Sequence, residues 1–107
     1  MNYSVKITDT AIQDLRGIAL WIAEQAKDTS IAKRFVDELR EECKKLNLFP
    51  DRSSLPKDRI LLSLGYRFIV YKDYLIFYLT DDVKMEVNVM AIFNEKRDYM
   101  RVMRKFI

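Results

Sequence analysis

Hydrophobic residues recur at two different spacings along the chain, and the change of spacing divides it into two halves. Residues 3–8 alternate polar and apolar side chains, which predicts a short strand. From Thr10, which Gln13 follows in a capping-box pattern, apolar residues recur every three or four positions and predict a helix. Residues 27–30 break this pattern, and a second helical stripe then predicts an antiparallel helical hairpin. The second stripe comprises Ala32, Phe35, Val36, Leu39, Cys43 and Leu46.

The second half is predicted to consist of strands. Pro50 ends the second helix, and residues 51–58 form a loop. Apolar runs at residues 66–71, 74–79 and 85–93 predict three strands, with residues 60–64 leading into the first. Only Lys72 and Asp73 separate the first two strands, which favours a tight hairpin. The expected fold class is α+β, in one domain spanning residues 1–107: an N-terminal strand and helical hairpin packed on one face of a small, mainly antiparallel sheet.

Alternation of side chains in this hairpin predicts which residues share a face. A two-residue turn sets three pairs opposite one another: Tyr71 with Tyr74, Ile69 with Ile76, and Arg67 with Tyr78. One face is then wholly apolar and is expected to carry the helices. In the hairpin it comprises Tyr66, Phe68, Val70, Leu75, Phe77 and Leu79. The last strand is expected to pair Met85 with Leu79, which adds Met85, Val87, Val89 and Ala91 to the same face.

The other face is predicted to be an open binding platform. Tyrosine offers flat apolar area with a hydroxyl, and arginine offers a forked donor for phosphate or carboxylate. The candidate binding residues are Arg67, Tyr71, Tyr74, Tyr78, Glu86, Lys96 and Arg97. The plainer interpretation is a solvent-facing sheet on which Arg67 pairs with Glu86.

The stretch FNEKRDY, residues 93–99, follows the last strand. Phe93 is expected in the core, with Lys96 and Arg97 emerging at the rim of the sheet. Asp98 is expected to restrain one of the two cations, and a short C-terminal helix to follow. A solvated strand exit is the alternative, and an anionic partner would need Lys96 and Arg97.

The excess of basic side chains lies in the second half of the chain. The chain has 107 residues and a formal net charge of +3. Residues 1–49 carry eight basic and eight acidic side chains, whereas residues 50–107 carry eleven and eight. Such asymmetry can mark a surface that faces a polyanion or an acidic protein, and it also arises by chance.

Composition indicates a protein of a reducing compartment. Cys43 is the single cysteine and cannot form an intramolecular disulfide. The start, MNYSVKITD, lacks the layout of a signal peptide, and the longest apolar run, residues 18–23, is too short to span a bilayer. We therefore expect a soluble cytoplasmic protein. The pair Asp81 and Asp82 indicates a turn, so neither a metal nor a cofactor is expected, and Trp21 is expected to pack within the helical hairpin.

The order of these elements resembles the RelE/ParE superfamily of bacterial toxins, the toxin halves of type II toxin–antitoxin modules. The pieces that carry the resemblance are AKRFVDELREECKKLNLFP, GYRFIVYKDYLIFYLTDD and FNEKRDY, and together with their order they cover nearly the whole chain. The resemblance implies a cytoplasmic toxin that arrests growth. It also implies a cognate antitoxin as partner, in a possible toxin–antitoxin hetero-oligomer.

The superfamily implies two alternative targets. RelE-like members cut mRNA in the ribosome without a metal, and ParE-like members inhibit DNA gyrase. For a nuclease, the resemblance makes Arg67, Arg97 and Tyr99 the candidate catalytic residues, because the chain has no histidine. Two departures, Leu75 and Ile69 at positions where such nucleases carry basic residues, favour gyrase inhibition. The alternatives are a ribosome-dependent mRNA endoribonuclease and a degenerate domain that only binds an antitoxin-like partner.

Overall fold

A computed structural model describes residues 2–48, 50–51 and 53–107. Four strands and four helices are observed in this part of the chain. They are, in order, β1 (Ser4–Ile7), α1 (Asp9–Ala26), α2 (Thr29–Lys44), α3 (Arg59–Ser63), β2 (Arg67–Tyr71), β3 (Tyr74–Asp81), β4 (Glu86–Asn94) and α4 (Tyr99–Met103), with short 3-10 turns at Lys45–Asn47 and Arg104–Phe106. No helix among these residues is long and apolar enough to cross a membrane.

The strands form one sheet in the order β1-β4-β3-β2. β1 pairs parallel with β4, and the two other pairings are antiparallel. The α1–α2 hairpin packs on one face, so the predicted α+β fold class is confirmed. The helix that follows β1 begins two residues earlier than predicted, because Thr8 and not Thr10 caps it by accepting a hydrogen bond from the Ala11 N–H.

The register of the β2–β3 hairpin is confirmed. Arg67 lies opposite Tyr78, Ile69 opposite Ile76, and Tyr71 opposite Tyr74. Lys72 takes a positive φ of 53° in the two-residue turn, although it is not a glycine. This left-handed conformation matches the twist of the flanking strands and thereby closes the tight hairpin.

The register predicted for β3 and β4 is wrong. Leu79 lies opposite Asn88 rather than Met85, and Glu86 lies opposite Asp81 rather than Tyr78. A β-bulge causes part of the change: Phe77 pairs with Ala91 and Tyr78 with Val89, which leaves Met90 as an extra residue.

The predicted assignment of the two sheet faces is also wrong. The helical hairpin packs on the face of Tyr74, Ile76 and Tyr78, which was expected to be open. The bulge turns Val87 and Val89 to this face, whereas Ala91 lies on the other one as predicted. Both faces of the β2–β3 hairpin are apolar enough to be buried, so alternation could not decide which one the helices would cover.

Hydrogen bonds from tyrosine hydroxyls explain how the face that was expected to be open can be buried. Tyr78 is fully buried and donates a hydrogen bond to the Pro50 carbonyl. Tyr71 donates to Glu38 of α2 at 2.7 Å, and this hydrogen bond raises the pKa of Tyr71. The ring centroids of Tyr74 and Phe35 lie 5.3 Å apart. Each ring adds apolar area to the core, and the hydroxyls of Tyr71 and Tyr78 keep hydrogen-bond partners there.

The second face carries a smaller core. Its buried residues are Leu61, Tyr66, Phe77, Ala91, Phe93 and Met103. Residues 60–64, expected as the approach to a strand, lie largely in helix α3, which Asp58 caps by accepting a hydrogen bond from the Leu61 N–H at 2.9 Å. Phe93 is in the core and α4 follows it, both as predicted, so the turn between them is fixed at each end.

Candidate functional site

The turn between β4 and α4 is held by its own backbone. The Lys96 N–H donates to the Asn94 side-chain oxygen at 2.9 Å, and the Arg97 N–H donates to the Asn94 carbonyl at 3.1 Å. The Glu95 N–H donates to the Asp73 carbonyl at 2.8 Å, which ties this turn to the β2–β3 turn. The exposed side chains of Lys96 and Arg97 therefore project from an ordered support.

Asp98 does not restrain these cations, contrary to expectation. Its carboxylate caps α4 by accepting hydrogen bonds from the Met100 and Arg101 N–H groups at 3.1 and 3.4 Å. Among the described residues, no ion pair within 4.0 Å involves Lys96 or Arg97. The two cations are thus available to an anionic partner.

Lys96 and Arg97 border a cleft of about 540 Å³ between α1 and the end of β4, named here the α1–β4 cleft. Three helix residues at helical spacing, Asp14, Gly17 and Trp21, line the opposite wall. Trp21 is 57% exposed, so its expected packing within the hairpin is wrong. The remaining lining is mostly apolar and includes Ile18, Tyr74, Ile92 and Phe93.

Asp14 joins the helix to the sheet. Pairing between β1 and β4 ends at Val89. Further along β4, the Asp14 carboxylate takes the place of a strand partner and accepts a hydrogen bond from the Ile92 N–H at 2.9 Å. Burial raises the pKa of Asp14, while the Ile92 hydrogen bond and the charges of Lys105 and Arg97 act in the opposite direction. The cleft therefore has a carboxyl group whose protonation is easier than in water.

Asp14 should give stability a distinct pH dependence. A carboxyl whose pKa is raised on folding stabilises the fold fully below its unfolded value, near 3.8, and this contribution is lost as the pH rises through the raised pKa. In denaturant titrations over that range, the free energy of unfolding of the wild type should fall relative to Asp14→Asn and then level off. A wild type that becomes more stable relative to Asp14→Asn as the pH rises would contradict this account of Asp14.

Gly17 is exposed in the middle of α1, and packing within the protein does not require a glycine at this position. No atom lies within 4 Å of the position that a Cβ would occupy. We expect Gly17→Ala to raise the free energy of unfolding by about 0.5–1 kcal/mol, because alanine restricts the unfolded chain. Chemical denaturation measures this change, and a loss of stability would show that Gly17 serves internal packing.

The other predicted site residues lie elsewhere. Arg67 is at the far end of β2, where its guanidinium donates to the Asp51 carbonyl at 3.1 Å. Its partner Tyr78 is four residues along β3 from Tyr74, whose partner on β4 is Asn94. That spacing corresponds to about 13 Å of strand. Arg67 is therefore not brought together with Arg97.

Tyr99 is placed on the opposite face from Arg67. Its ring stacks on Phe77 in the second core, with centroids 6.0 Å apart. The plainer interpretation, in which Arg67 pairs with Glu86, is also wrong, because Glu86 forms an ion pair with Lys6 at 2.7 Å. Tyr71, Tyr74 and Tyr78 lie beneath the helical hairpin, so the open platform built from them is wrong as well.

Asp14, Gly17 and Trp21 were missed as a group by the sequence analysis. Their spacing of three and then four residues places them on one side of a helix, which was readable. Their proximity to residues 94–97 was not, because that depends on how α1 crosses the sheet. The available signal was Gly17 itself, because a glycine in the middle of a predicted helix lowers the stability of that helix.

Comparison with known proteins identifies the family. The model of the family described as ParE toxin of type II toxin–antitoxin system, parDE, matches residues 5–99. No curated protein matches the chain.

Solved structures share the fold at low sequence identity. The toxin–antitoxin complex RelBE2 from Mycobacterium tuberculosis contains a chain that is 22% identical, with a TM-score of 0.68 over 88% of this chain and 92% of that one. A chromosomal ParDE system from P. aeruginosa gives 17% identity and a TM-score of 0.71 over 86% and 95%.

A mutant of the E. coli toxin RelE in the free state gives 13% identity and a TM-score of 0.64, with full coverage of both chains. The fold is thus common to RelE-like and ParE-like structures, while the family model spans nearly all of this sequence. The chain belongs to the ParE toxin family of type II toxin–antitoxin systems.

Proposed function

We propose that this toxin arrests growth by binding and inhibiting DNA gyrase, and that it does not cleave RNA. The observation that carries the proposal is the dispersal of the three candidate catalytic residues. Arg67 lies on the face of the helical hairpin, Tyr99 on the opposite face, and Arg97 in the turn beyond β4. Groups placed so far apart do not form one catalytic centre, which supports inhibition by binding rather than by RNA cleavage.

RNA cleavage at the 2′-hydroxyl requires a base, an acid and a group that stabilises the phosphorane. These groups must come within about 2.6–3.2 Å of the atoms they serve. Arg67 and the end of β4 at Asn94 lie about 13 Å apart along the strands by residue rise. Arg97 lies in the turn beyond Asn94, and the chain has no histidine to replace either arginine. Tyr99 packs its ring on Phe77, so it would need to leave the second core to join either arginine.

The departures from the nuclease pattern support the same proposal. Leu75 packs in the second core beside Phe77 and Phe93. Ile69 packs against the core beneath the helical hairpin. Both positions therefore serve packing, and a basic side chain at either one would carry the cost of burying a charge.

A cognate antitoxin is the second partner that we propose. The helical hairpin exposes Leu20 and Ile31, with fractions of 67% and 45%. Exposed apolar side chains of this size gain from being covered by a partner. The Arg67–Tyr78 face is covered by the hairpin itself, which leaves the outer side of the hairpin as the surface for the antitoxin.

The proposal is tested by Arg67→Ala and Tyr99→Phe variants, induced without an antitoxin. Both should still arrest growth, because neither side chain is part of the proposed binding surface. Immunoblots showing equal protein levels control for folding and turnover. A loss of toxicity in Tyr99→Phe at equal level would support an acid role and thus the nuclease alternative. A wild-type chain that fails to arrest growth would favour the degenerate domain.

A further inference from the structure

We propose that the α1–β4 cleft binds an acidic segment of the protein that the toxin inhibits. A carboxylate of that segment would contact Lys96 and Arg97, and an apolar side chain would lie against Trp21. This inference rests on the proposed function, since it names the part of the toxin through which the target is recognised. The occupant is a protein segment of defined chemistry rather than a nucleic acid.

Charge is the first argument for this occupant. Residues 94–107 carry five basic and two acidic side chains. Their net charge of +3 is as large as that of the whole chain. Asp98 is occupied as a helix cap, and Lys96 and Arg97 are free of ion pairs within the described part of the chain. A carboxylate would therefore find two unpaired cations on an ordered turn.

Gly17 is the second argument, and it is independent of charge. An exposed glycine weakens a helix, yet no atom of the toxin occupies the space beside it. Its lack of a side chain keeps the wall of the cleft flat between Asp14 and Trp21. Close approach of another chain explains this glycine, whereas internal packing does not.

The composition of the cleft favours a peptide over a nucleic acid. Two cations face one carboxyl group, Asp14, which leaves the lining close to a single positive charge. That balance suits one carboxylate rather than a run of phosphates. Trp21 and Ile18 supply an apolar surface, which an acidic segment with an apolar residue can cover.

Trp21 provides a direct probe, because it is the only tryptophan of the chain. We would titrate the intact toxin with a synthetic peptide of alternating glutamate and leucine and record the Trp21 emission. A saturable blue shift is expected, with roughly 30-fold weaker binding in Arg97→Ala and no shift in Gly17→Leu. A lysine–leucine peptide should give no shift.

Matched variants separate binding from folding. Leucine is a better helix former than glycine, so Gly17→Leu should melt no lower than the wild type. Ala26→Leu introduces the same side chain at an exposed position of α1 on the opposite side of the helix from Gly17 and should keep the full emission shift. Asp14→Asn should bind the acidic peptide more tightly, because it removes the one negative charge of the lining.

Growth arrest provides the cellular arm of the test. Gly17→Leu should lose toxicity at a normal protein level, and Ala26→Leu should keep it. The inference is overturned if Gly17→Leu stays fully toxic, or if Trp21 responds to a single-stranded oligonucleotide and not to the acidic peptide. If the peptide results hold but translation stops before DNA synthesis, the gyrase proposal fails separately from recognition of acidic chains by the cleft.

Discussion

An Arg97→Ala variant is expected to fold like the wild type and to lose the ability to arrest growth. The side chain is exposed and has no ion pair within the described residues, so its removal should change the free energy of unfolding by less than about 0.5 kcal/mol. At a binding surface, loss of an arginine that anchors a carboxylate weakens binding by about 2 kcal/mol or more, which is roughly 30-fold. Colony formation after induction, together with thermal melting, measures both effects.

Lys84→Ala is the matched control for this prediction. Lys84 is an exposed cation in the turn between β3 and β4, away from the α1–β4 cleft. Removing it changes the net charge equally and should leave toxicity intact. An Arg97→Ala variant that remains fully toxic would contradict a functional role for FNEKRDY.

Ile76→Ala is expected to destabilise the fold by about 2–5 kcal/mol. Ile76 is fully buried and belongs to the core between the sheet and the helical hairpin. Shortening it leaves a cavity between rigid elements, so lost burial and lost packing both contribute. Urea titration followed by circular dichroism measures the change.

Val70→Ala provides the comparison that tests the face assignment. Val70 is 52% exposed, although the sequence pattern placed it on the face expected to carry the helices. Its truncation should cost less than about 1 kcal/mol, since solvent already reaches the side chain. Equal losses for Val70→Ala and Ile76→Ala, or a larger loss for Val70→Ala, would show that the helices cover the other face.

Local chemistry made part of the fold predictable from sequence. The two residues between β2 and β3 fix the hairpin register, and every predicted pair within it is observed. Helical periodicity likewise identified α1 and α2, because each buries a stripe of apolar residues. In these cases the determining interactions lie within a few residues of one another.

The errors concern choices that depend on distant parts of the chain. Tyrosine suits either face of a sheet, and burial of Tyr78 requires the Pro50 carbonyl 28 residues away. The bulge at Met90 lies inside an apolar run, where an extra residue leaves no mark in the sequence pattern. Asp14 appears as an ordinary polar helix residue until its partner, the Ile92 N–H, is placed beside it across 78 residues.

For the site, the sequence identified one wall and the structure supplied the other. Lys96 and Arg97 were expected at the rim because alternation brings Phe93 into the core just before them. Gly17 and Trp21 could be placed on one helix face but not beside that rim. The crossing of α1 over the end of β4 creates the cleft, and side-chain periodicity carries no information about that crossing.

Pulse-labelling of DNA and protein synthesis after induction tests the central claim most directly. Cells expressing the toxin without an antitoxin would be sampled at short intervals for incorporation of labelled thymidine and labelled methionine. Inhibition of gyrase predicts that DNA synthesis falls first and that the DNA-damage response is induced, while translation continues at early times. A fall in methionine incorporation before any change in DNA synthesis would contradict gyrase inhibition and point to cleavage of mRNA.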